Sequence, residues 1–405
     1  MSKKYTDEYE VGYNPRLVME EAARCLLCHD APCSLSCPAG TDPAKFIRSV
    51  RFRNFKGAAE TVRGNNILGA ICARVCPTER YCQQGCSRSG IDKPIDIGRI
   101  QRFVTDFEDA TKMKVLEAKP SVGKKVAVVG SGPSGLSVAA NLALSGVEVT
   151  IFEKEARAGG YLRNGIPEYR LPNEIVDKEI ARIKKLGVKI EISHPVESLD
   201  SLKKEFDAVV VAVGMSKGKM LPMFDGKRNV KIAVDFLKMV KRKKGEVKLP
   251  DNILVVGGGD VAMDVVTTLK LLGVKQVTDV VYETFEEFKA SKKELQGAQE
   301  QGVTIIDGYV PVSVKGKTVK FAHRNIQSEL KIKADMIILA VGQYTEAAML
   351  GLEVNKKQEV VEDNYKVKDN VFVVGDIAHG EKTVVYGVRS GKEVAALVKN
   401  SLGVK

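Results

Sequence analysis

The clearest hydrophobic pattern in the chain is a short apolar run followed by a helical period and a second apolar run. VAVVG at 126–130 is typical of a strand buried on both faces of a parallel sheet, and the helical stretch SGLSVAANLALSG leads from it to the strand EVTIFE. The same order recurs between Asn252 and Glu283. The pattern predicts two β-α-β units and therefore two dinucleotide sites.

A different pattern precedes the first of these units. Residues 15–110 carry helical signals: Asp42-Pro43 begins a predicted helix of about a dozen residues, and 97–107 predicts another. The polar segment between Ala110 and Lys125 contains a proline and a glycine, which indicates a linker. The chain is therefore predicted to begin with an α-helical domain that a linker joins to an α/β module.

Composition excludes two broad classes. The longest apolar runs, such as MIILAVG, are far shorter than the ~20 residues that span a bilayer, and the opening MSKKYTDEYEVG lacks an apolar signal region, so we expect a cytoplasmic protein without a membrane partner. The net charge is +12, but the lysines are spread along the chain without aromatic interleaving, so we expect no nucleic-acid partner. One local basic stretch fits either a solvated helix face or a surface for an acidic partner: Lys45, Arg48, Arg51, Arg53, Lys56 and Arg63.

Candidate metal chemistry is confined to the helical region. All eight cysteines lie there, in two runs that read C-x2-C-x4-C-x3-C-P and C-x3-C-P-x4-C-x3-C. The first run is Cys25, Cys28, Cys33 and Cys37, and the second is Cys72, Cys76, Cys82 and Cys86. Two such runs supply enough thiolates for two four-ligand sites.

Three interpretations of the cysteines compete. Disulfides suit small secreted domains and fit this chain poorly, whereas zinc closes four-thiolate tetrahedra well. Proline directly follows Cys37 and Cys76, as in bacterial ferredoxin runs, where the cysteine before proline ligates a different cluster from its neighbours. Spacing alone therefore favours iron-sulfur clusters but leaves zinc open.

The first dinucleotide site is predicted at Gly130, Gly132 and Gly135. These form GxGxxG at a strand-to-helix turn, where backbone N–H groups and the helix N-terminus meet a pyrophosphate. Glu153, at the end of the second strand, is expected to accept hydrogen bonds from ribose hydroxyls.

The second site carries the GxGxxA variant, Gly257, Gly259 and Ala262, and its second strand leads to Tyr282-Glu283. A carboxylate at Glu283 favours the free 2′-hydroxyl of NADH and repels the 2′-phosphate of NADPH. The alternative is that Glu283 opens a loop and points into water.

The end of the chain assigns the two sites. Gly375-Asp376, before a helix that begins near Thr383, resembles the second flavin motif of two-dinucleotide-binding flavoproteins, so the first unit is expected to hold FAD and the inserted one NADH. Thioredoxin reductases share this layout but need a C-x-x-C pair beside the flavin, and no cysteine follows Cys86. The amino-terminal cysteines remain as the electron acceptor, which favours redox-active clusters over zinc.

The runs EAARCLLCHDAPCSLSCPAGTDPAKFI, GAICARVCPTERYCQQGC, PIDIGRIQRFV and GGYLRNGIPEYRLP together resemble the family that contains the glutamate synthase small subunit and the N-terminal half of dihydropyrimidine dehydrogenase. The resemblance runs from about residue 15 to the C-terminus. In length and motif the chain is most similar to flavoprotein subunits of bacterial NAD-dependent dihydropyrimidine dehydrogenases.

The resemblance implies two [4Fe-4S] clusters, FAD and NAD(H), with ligands by position. One cluster takes Cys25, Cys28, Cys33 and Cys86; the other takes Cys37, Cys76, Cys82 and Gln101, which leaves Cys72 as a bystander. A carboxamide oxygen is a hard ligand for iron, so Cys72 stays open as the eighth ligand. The resemblance adds Gly160, Leu162 and Arg170 to the FAD site, and Asp260 and Gly342 to the NAD site.

The fold class that follows is an α-helical iron-sulfur domain and then an α/β two-dinucleotide-binding, nested Rossmann-like flavoprotein module. The predicted limits are 1–110 for the helical domain with two clusters, 111–124 for the linker, 125–221 and 345–405 for the two parts of the FAD-binding domain, and 222–344 for the NAD-binding domain.

The leading hypothesis is an NADH-oxidising electron-input subunit. Hydride transfer from nicotinamide to flavin needs orientation and no side-chain acid or base, so no catalytic residue is named, and His29 is expected near a cluster or on the surface. No length remains for an FMN barrel of about 250 residues, so uracil or thymine reduction requires a separate FMN/iron-sulfur catalytic subunit, in a heterotetramer. The alternatives are a glutamate synthase small subunit, an NAD(P)H:ferredoxin oxidoreductase, and a zinc-bearing nucleotide sensor.

Overall fold

The structure, a computed structural model, describes residues 4–404 and divides them into two compact units. Unit 1 contains residues 4–9, 163–172 and 215–344, and unit 2 contains residues 10–162, 173–214 and 345–404. The domain limits derived from the sequence stay predictions.

The helices, in chain order, are α1 Pro15–Ala23, α2 Pro32–Leu35, α3 Pro43–Arg51, α4 Phe55–Asn65, α5 Gly69–Val75, α6 Ile97–Ala110, α7 Pro133–Leu144, α8 Gly160–Asn164, α9 Asn173–Lys184, α10 Leu199–Glu205, α11 Ala233–Arg242, α12 Asp260–Leu271, α13 Lys292–Glu300 and α14 Val384–Ser401. The strands are β1 Lys125–Val129, β2 Glu148–Phe152, β3 Lys189–Glu191, β4 Ala208–Val211, β5 Lys217–Gly218, β6 Val230–Ile232, β7 Asn252–Val256, β8 Gln276–Val280, β9 Thr304–Ile306, β10 Tyr309–Lys315, β11 Thr318–His323, β12 Glu329–Lys333, β13 Met336–Leu339, β14 Gln343–Tyr344, β15 Lys366–Lys368 and β16 Val371–Val373. No helix within residues 4–404 has the length and apolar character that crossing a membrane requires.

Local capping explains where the predicted amino-terminal helices begin and end. Asp42 caps α3 by accepting from the Lys45 backbone N–H, as its Asp-Pro start predicts, but α3 spans 9 residues. It ends there because Arg53 adopts a left-handed φ of 58° and Asn54 caps α4. The second predicted helix, 97–107, is confirmed as α6 and continues to Ala110.

The helical part of unit 2 packs around its own apolar core. Phe46, Ile47 and Val50 on α3 meet Ile100 and other apolar residues of α6, and all four are buried. Burying a side chain of this size contributes roughly 1.5–3 kcal/mol, so each of these residues stabilises the helical region substantially.

The prediction of a solvated basic face is wrong for its last member. Arg63 has a fully buried side chain, and its guanidinium donates to Glu108 at 2.7 Å and, through two nitrogens, to Glu179 at 2.8 Å. Glu108 lies on α6 and Glu179 on α9, so this ion network joins the helical region to the nucleotide-binding fold inside unit 2. Periodicity could not reveal it because both carboxylates lie far along the chain.

The nucleotide-binding part of unit 2 is built on a six-stranded sheet in the described residues, with the order β15-β16-β4-β1-β2-β3. Strands β16, β4, β1, β2 and β3 are parallel, and β15 joins the edge antiparallel. The β1-α7-β2 unit therefore lies at the centre of the sheet, as the apolar run VAVVG predicts.

Unit 1 contains a second parallel sheet. Among the described residues it has five strands, in the order β6-β13-β7-β8-β9, and β7-α12-β8 forms the second β-α-β unit. An antiparallel sheet of β10, β11 and β12 and a short ladder of β14 with β5 complete the unit. The order of elements matches the predicted nested α/β arrangement.

Candidate functional site

The first glycine fingerprint forms a tight backbone cradle between β1 and α7. Gly130 has φ +106°, and a Cβ there would lie 2.5 Å from the Ala212 carbonyl oxygen. A Cβ on Gly135 would lie 2.1 Å from the Gly130 carbonyl oxygen. Gly132 is the N-cap of α7 and has no atom within 4 Å of the space where its Cβ would stand. The helix N-terminus is therefore open at the place where a pyrophosphate is expected.

Gly160, which the family resemblance adds, lies against this cradle. Its φ is +52°, and a Cβ there would approach the Gly132 Cα to 2.7 Å. Only glycine tolerates both the left-handed backbone and this approach. The start of α8 is thus held at the fingerprint, and Leu162 on the same short helix is fully buried.

Glu153 follows β2, as predicted, and is nearly buried. One carboxylate oxygen accepts from the backbone N–H and the hydroxyl of Ser131, and the other accepts from the Glu155 N–H at 2.8 Å. Ser131 is a residue of the fingerprint itself. The carboxylate is therefore held beside the pyrophosphate turn, where a ribose would meet it.

The carboxyl-terminal motif reaches the same place because α14 packs closely on α7. A Cβ on Gly387 would lie 2.8 Å from the Ser134 Oγ, and one on Gly391 would lie 2.5 Å from the Ser137 Cβ. Gly375, with φ +79°, also approaches Ser134. Small residues on both helices thus bring the Gly375 turn and the start of α14 against the fingerprint helix.

Asp376 and Thr383 lie on either side of the loop that precedes α14. Asp376 is half-buried, and among residues 4–404 no group donates a hydrogen bond to its carboxylate. Burial raises the pKa of Asp376, while the Lys382 charge opposes that shift. Thr383 is the N-cap of α14 and accepts from the Tyr386 N–H. A sheltered carboxylate without a protein donor fits a polyol hydroxyl as its partner.

Arg170 is the one predicted FAD residue that the structure places in unit 1. Its guanidinium is paired there with Asp264 at 2.7 Å and with Glu294 at 2.9 Å. Burial, as the largest cause, raises the pKa of Asp264 to about 7, against the lowering effect of Arg170. A role for Arg170 at the flavin stays a prediction.

The second fingerprint, in unit 1, repeats the first. Gly257 has φ +154°, and its Cβ would lie 2.4 Å from the Ala340 carbonyl oxygen. Gly259 is the N-cap of α12 and again has an open Cβ position, while Ala262 is fully buried in the next turn. The structure thus provides a second helix N-terminus that is open to a phosphate.

The acidic residue of the second fold lies beside that turn. A Cβ on Gly258 would approach the Glu283 Oε2 to 2.9 Å, so the carboxylate faces the fingerprint and does not point into open water. Glu283 pairs with Lys289 at 2.7 Å, and the Arg324 guanidinium stacks over the Tyr282 ring at 4.0 Å. Neither cation could be found from the sequence because both come from later loops.

Two further predicted NAD residues border the same fold. Asp260, the first residue of α12, accepts from the Ser291 N–H at 2.7 Å. Gly342, with φ +103°, follows β13, and its carbonyl accepts from the Lys219 N–H at 2.9 Å. Gly342 therefore lies in the loop after a central strand, the usual position for residues that contact a dinucleotide.

The first predicted ligand group is brought together around one pocket. Cys25, Cys28, Cys33 and Cys86 all line it, with Leu26, Ala31, Pro32, Ala44, Ile47, Ser87, Arg88, Ile95 and Ile97. Burial raises the pKa of the Cys33 thiol to about 11, and the nearby Cys86 and Cys25 sulfurs raise it further. The grouping of Cys86 with the first run agrees with the crossed ligation that the family implies.

The remaining four cysteines, Cys37, Cys72, Cys76 and Cys82, lie near one another and form a second group. Burial is the largest cause that raises the pKa of Cys76, and the sulfurs of Cys72, Cys82 and Cys37 add to it. Cys72 is therefore no remote bystander: it is fully enclosed, near Cys37, with the Asn66 side chain as a hydrogen-bond partner. Both candidates for the eighth ligand, Cys72 and Gln101, remain possible on geometry.

Gln101 lies on α6 and is buried. Its amide nitrogen donates to the Gly69 carbonyl at 2.8 Å, at the start of the helix that carries Cys72. That hydrogen bond turns the Gln101 amide nitrogen toward the backbone, so the side-chain oxygen is the atom left to bind iron. The choice between Gln101 and Cys72 stays a prediction.

The donor sets fit iron-sulfur clusters. Within residues 4–404 no three His, Cys, Asp or Glu side chains adopt the geometry of a single-ion site, although the cysteines form two groups. His29 is 96% exposed and pairs with Asp30, so it lies at the surface. Thiolates are the usual ligands of iron-sulfur clusters, so both cysteine groups have the chemistry that such clusters need.

Tyr81, the neighbour of Cys82 in the second cysteine run, contacts the segment of the flavin motif, which the sequence did not indicate. Tyr81, next to Cys82, donates to the Glu381 carboxylate at 2.5 Å, and its ring lies 6.1 Å from that of Tyr386. Glu381 precedes the N-cap of α14. Sequence reasoning missed this contact because an aromatic residue beside a cysteine carries no signal of its partner 300 residues later.

Comparison with known proteins agrees with this arrangement. A family model described as dihydropyrimidine dehydrogenase domain II, 4Fe-4S cluster, matches residues 2–113, and one described as pyridine nucleotide-disulphide oxidoreductase matches residues 124–391. Together these matches show an iron-sulfur domain followed by a flavin and pyridine nucleotide module, and they confirm the predicted fold class.

Relatives match over the whole chain. The NAD-dependent dihydropyrimidine dehydrogenase subunit PreT of Escherichia coli (strain K12) is 52% identical over 404 residues, which cover 99% of this chain and 98% of the relative. The subunit of the same name from Salmonella typhimurium (strain LT2) is 51% identical over 405 residues, with 99% and 98% covered.

Solved structures share the fold. Thioredoxin reductase of T. acidophilum matches with a TM-score of 0.57 and 19% identity, covering 69% of this chain and 99% of that one. At this identity the likeness concerns the fold of the nucleotide-binding module alone. The family is shown by the sequence relatives: the chain belongs to the NAD-dependent dihydropyrimidine dehydrogenase subunits of the PreT kind, and it is an NAD-dependent oxidoreductase with iron-sulfur and flavin-binding domains.

Proposed function

We propose that the chain is an electron-input subunit that oxidises NADH and passes electrons through FAD and two [4Fe-4S] clusters to a separate FMN/iron-sulfur subunit. That partner would reduce uracil or thymine to the 5,6-dihydro product, in a heterotetramer. The name of the relatives, which contains both "dihydropyrimidine dehydrogenase" and "subunit", supports the substrate class and the need for a partner. A cytoplasmic location follows from thiolate ligands that must stay reduced.

The observation that carries the proposal is the contact, inside unit 2, between Tyr81 of the second cysteine run and the segment of the flavin motif. Tyr81, beside Cys82, bonds to Glu381 just before α14, and α14 packs on the fingerprint helix α7. When bound, FAD takes two electrons as hydride and releases them one at a time, and each cluster carries one. The closeness of the two segments supports electron transfer between FAD and the second cluster.

The proposed roles of the residues follow from their positions. Gly130, Gly132, Gly135 and Gly160 would hold the FAD pyrophosphate, Glu153 the ribose, Asp376 the ribityl chain, and Thr383 with α14 the flavin ring. Gly257, Gly259, Asp260, Ala262 and Gly342 would hold NADH, and Glu283 its ribose. None of them exchanges a proton with substrate, since hydride transfer requires orientation alone.

The two ligand groups are proposed to hold one cluster each. Four cysteines that line one pocket form the first site, and Cys37, Cys76 and Cys82 with either Gln101 or Cys72 form the second. Iron analysis of the anaerobically purified chain is expected to give about eight irons, as two four-iron clusters require. Four irons, or zinc in place of iron, would contradict this part of the proposal.

The function is tested by separating its two steps. The purified chain alone is expected to reduce a dye with NADH but not to consume uracil, and uracil reduction is expected only after the FMN/iron-sulfur subunit is added. A strong preference for NADPH, or reduction of ferredoxin with no effect of that subunit on uracil, would favour the glutamate synthase or ferredoxin alternatives.

A further inference from the structure

Helix α14 carries a lysine whose charge points away from the flavin motif and into the cysteine region. The Lys392 ammonium donates to the Ala39 carbonyl at 2.7 Å and to the Asn65 carbonyl at 3.0 Å. Ala39 lies in the turn that follows Cys37, and Asn65 is the last residue of α4. The contact joins positions 353 residues apart, all inside unit 2.

The charge is close to the second cysteine group and lacks a carboxylate partner. A Cβ on Gly40, in the same turn, would lie 3.8 Å from the Lys392 Nζ, and the Cys37 sulfur is near enough to act on the ammonium electrostatically. Among the described residues no carboxylate lies within ion-pair distance of this Nζ. The neighbouring Glu393 instead binds Arg389 and the Tyr365 hydroxyl.

A half-buried cation without a counter-ion is costly unless something nearby supplies negative charge. The carbonyl oxygens of Ala39 and Asn65 supply part of this negative charge. The remainder is available from a thiolate-ligated cluster at the second cysteine group, which is anionic and becomes more so when an electron arrives. The Lys392 charge therefore stabilises the reduced state of that cluster more than the oxidised state.

We propose that Lys392 sets the reduction potential of the cluster held by the Cys37, Cys76 and Cys82 group, and so draws electrons from the flavin. The inference rests on the proposed function, since it presumes a cluster there. It makes Lys392 a positioning and tuning residue that contacts neither NADH nor the hydride.

The test separates charge from hydrogen bonding. Lys392→Gln keeps N–H donors for the two carbonyls but removes the charge, and Lys392→Arg keeps the charge. Lys399→Gln is the matched control: it removes a charge from the same helix about 10 Å further along, at 1.5 Å per residue. All four proteins, including the wild type, would be titrated anaerobically as holoenzyme, with the two clusters followed by EPR and the flavin by absorbance.

We expect Lys392→Gln to lower the midpoint potential of one cluster alone, with a change of about tenfold in its one-electron equilibrium, which corresponds to about 59 mV. The other cluster, the flavin and NADH-dependent flavin bleaching should be unchanged, and Lys392→Arg should restore the potential. The inference is overturned if both clusters are present and neither shifts, or if Lys399→Gln produces the same shift.

Failure of the proposed function has a different signature. If the wild-type protein contains no reducible iron, the electron-input role itself is wrong, whatever the Lys392 variants do. If Lys392→Gln loses the cluster instead of shifting it while Lys392→Arg retains it at the wild-type potential, the charge is needed to hold the cluster and tuning alone is overturned.

Discussion

Replacing Arg63 tests whether the helical region is held to the nucleotide-binding fold by one buried ion network. Its side chain and those of Glu108 and Glu179 are at most 1% exposed, and the guanidinium makes three bonds of 2.7–2.8 Å to the two carboxylates and one of 3.0 Å to the Ile67 carbonyl. Arg63→Met would leave two buried carboxylates with Arg182, whose side chain is 18% exposed, as their remaining cationic partner.

The magnitude follows from burial. Removing one partner of a buried ion pair costs about 3–5 kcal/mol, whereas a surface pair contributes about 0–1 kcal/mol. The Arg16–Glu20 pair, with side chains 86% and 56% exposed, is the surface control. At about 2–4 °C per kcal/mol for a domain of some 150–250 residues, Arg63→Met should lower the melting temperature of the holoenzyme by about 6–20 °C, and Arg16→Met by about 4 °C or less.

The assay is thermal unfolding followed by far-UV circular dichroism, with cluster absorbance recorded in parallel. Arg63→Lys should fall between the wild type and Arg63→Met because a lysine cannot bind Glu179 through two nitrogens. Replacing Arg63, Glu108 and Glu179 together by methionine should recover most of the loss, since Arg182, which loses both glutamates, keeps Asp109 at 3.8 Å. A melting temperature for Arg63→Met equal to that of Arg16→Met would refute the reasoning.

Three further predictions follow from single sites. Asp279 is fully buried on β8 with neither carboxylate oxygen hydrogen-bonded, and burial raises its pKa well above the usual value. The native state therefore keeps a proton that the unfolded chain releases above about pH 3.9, so the free energy of unfolding falls as the pH rises. Asp279→Val should stabilise the protein by about 1–3 kcal/mol in urea unfolding at pH 7 and by less at pH 4, and an equal gain at both pH values would contradict this reasoning. Glu283→Gln should lower the ratio of kcat/KM for NADH over NADPH about tenfold or more, while Lys289→Met should not lower it. Tyr81→Leu should slow cluster reduction, followed by stopped-flow absorbance, without slowing flavin reduction by NADH. Tyr81→Phe should slow cluster reduction less, because it retains the ring that contacts Tyr386.

The parts of the fold that the sequence predicts well are those set by local spacing. Both β-α-β units form where an apolar run meets a glycine turn, because Gly130 and Gly257 each need a backbone that other residues resist. The start of α3 was equally predictable from Asp42-Pro43. Its end was not, because the left-handed Arg53 that stops it leaves no pattern in the apolar positions.

The long-range contacts could not be predicted in the same way. The basic stretch that contains Arg63 has the composition of a solvated face, and only the position of α9 decides that this one side chain is buried. The resemblance leaves Cys72 as a bystander and the chemistry of iron keeps it open as the eighth ligand; its burial near Cys37 fits either role. A ligand set is a property of three-dimensional grouping, so spacing restricts the candidates but does not choose among them.

Helix α14 explains why the cysteine region and the flavin motif are parts of one unit. Its first turn contains Thr383 and Tyr386 at the flavin motif, and its glycines, Gly387 and Gly391, let it approach α7 closely enough to share the first fingerprint. One turn of the helix beyond Gly387, Lys392 reaches the turn after Cys37. In the proposed function this helix would hold the electron donor and the acceptor at a constant separation, because it is fixed at both contacts.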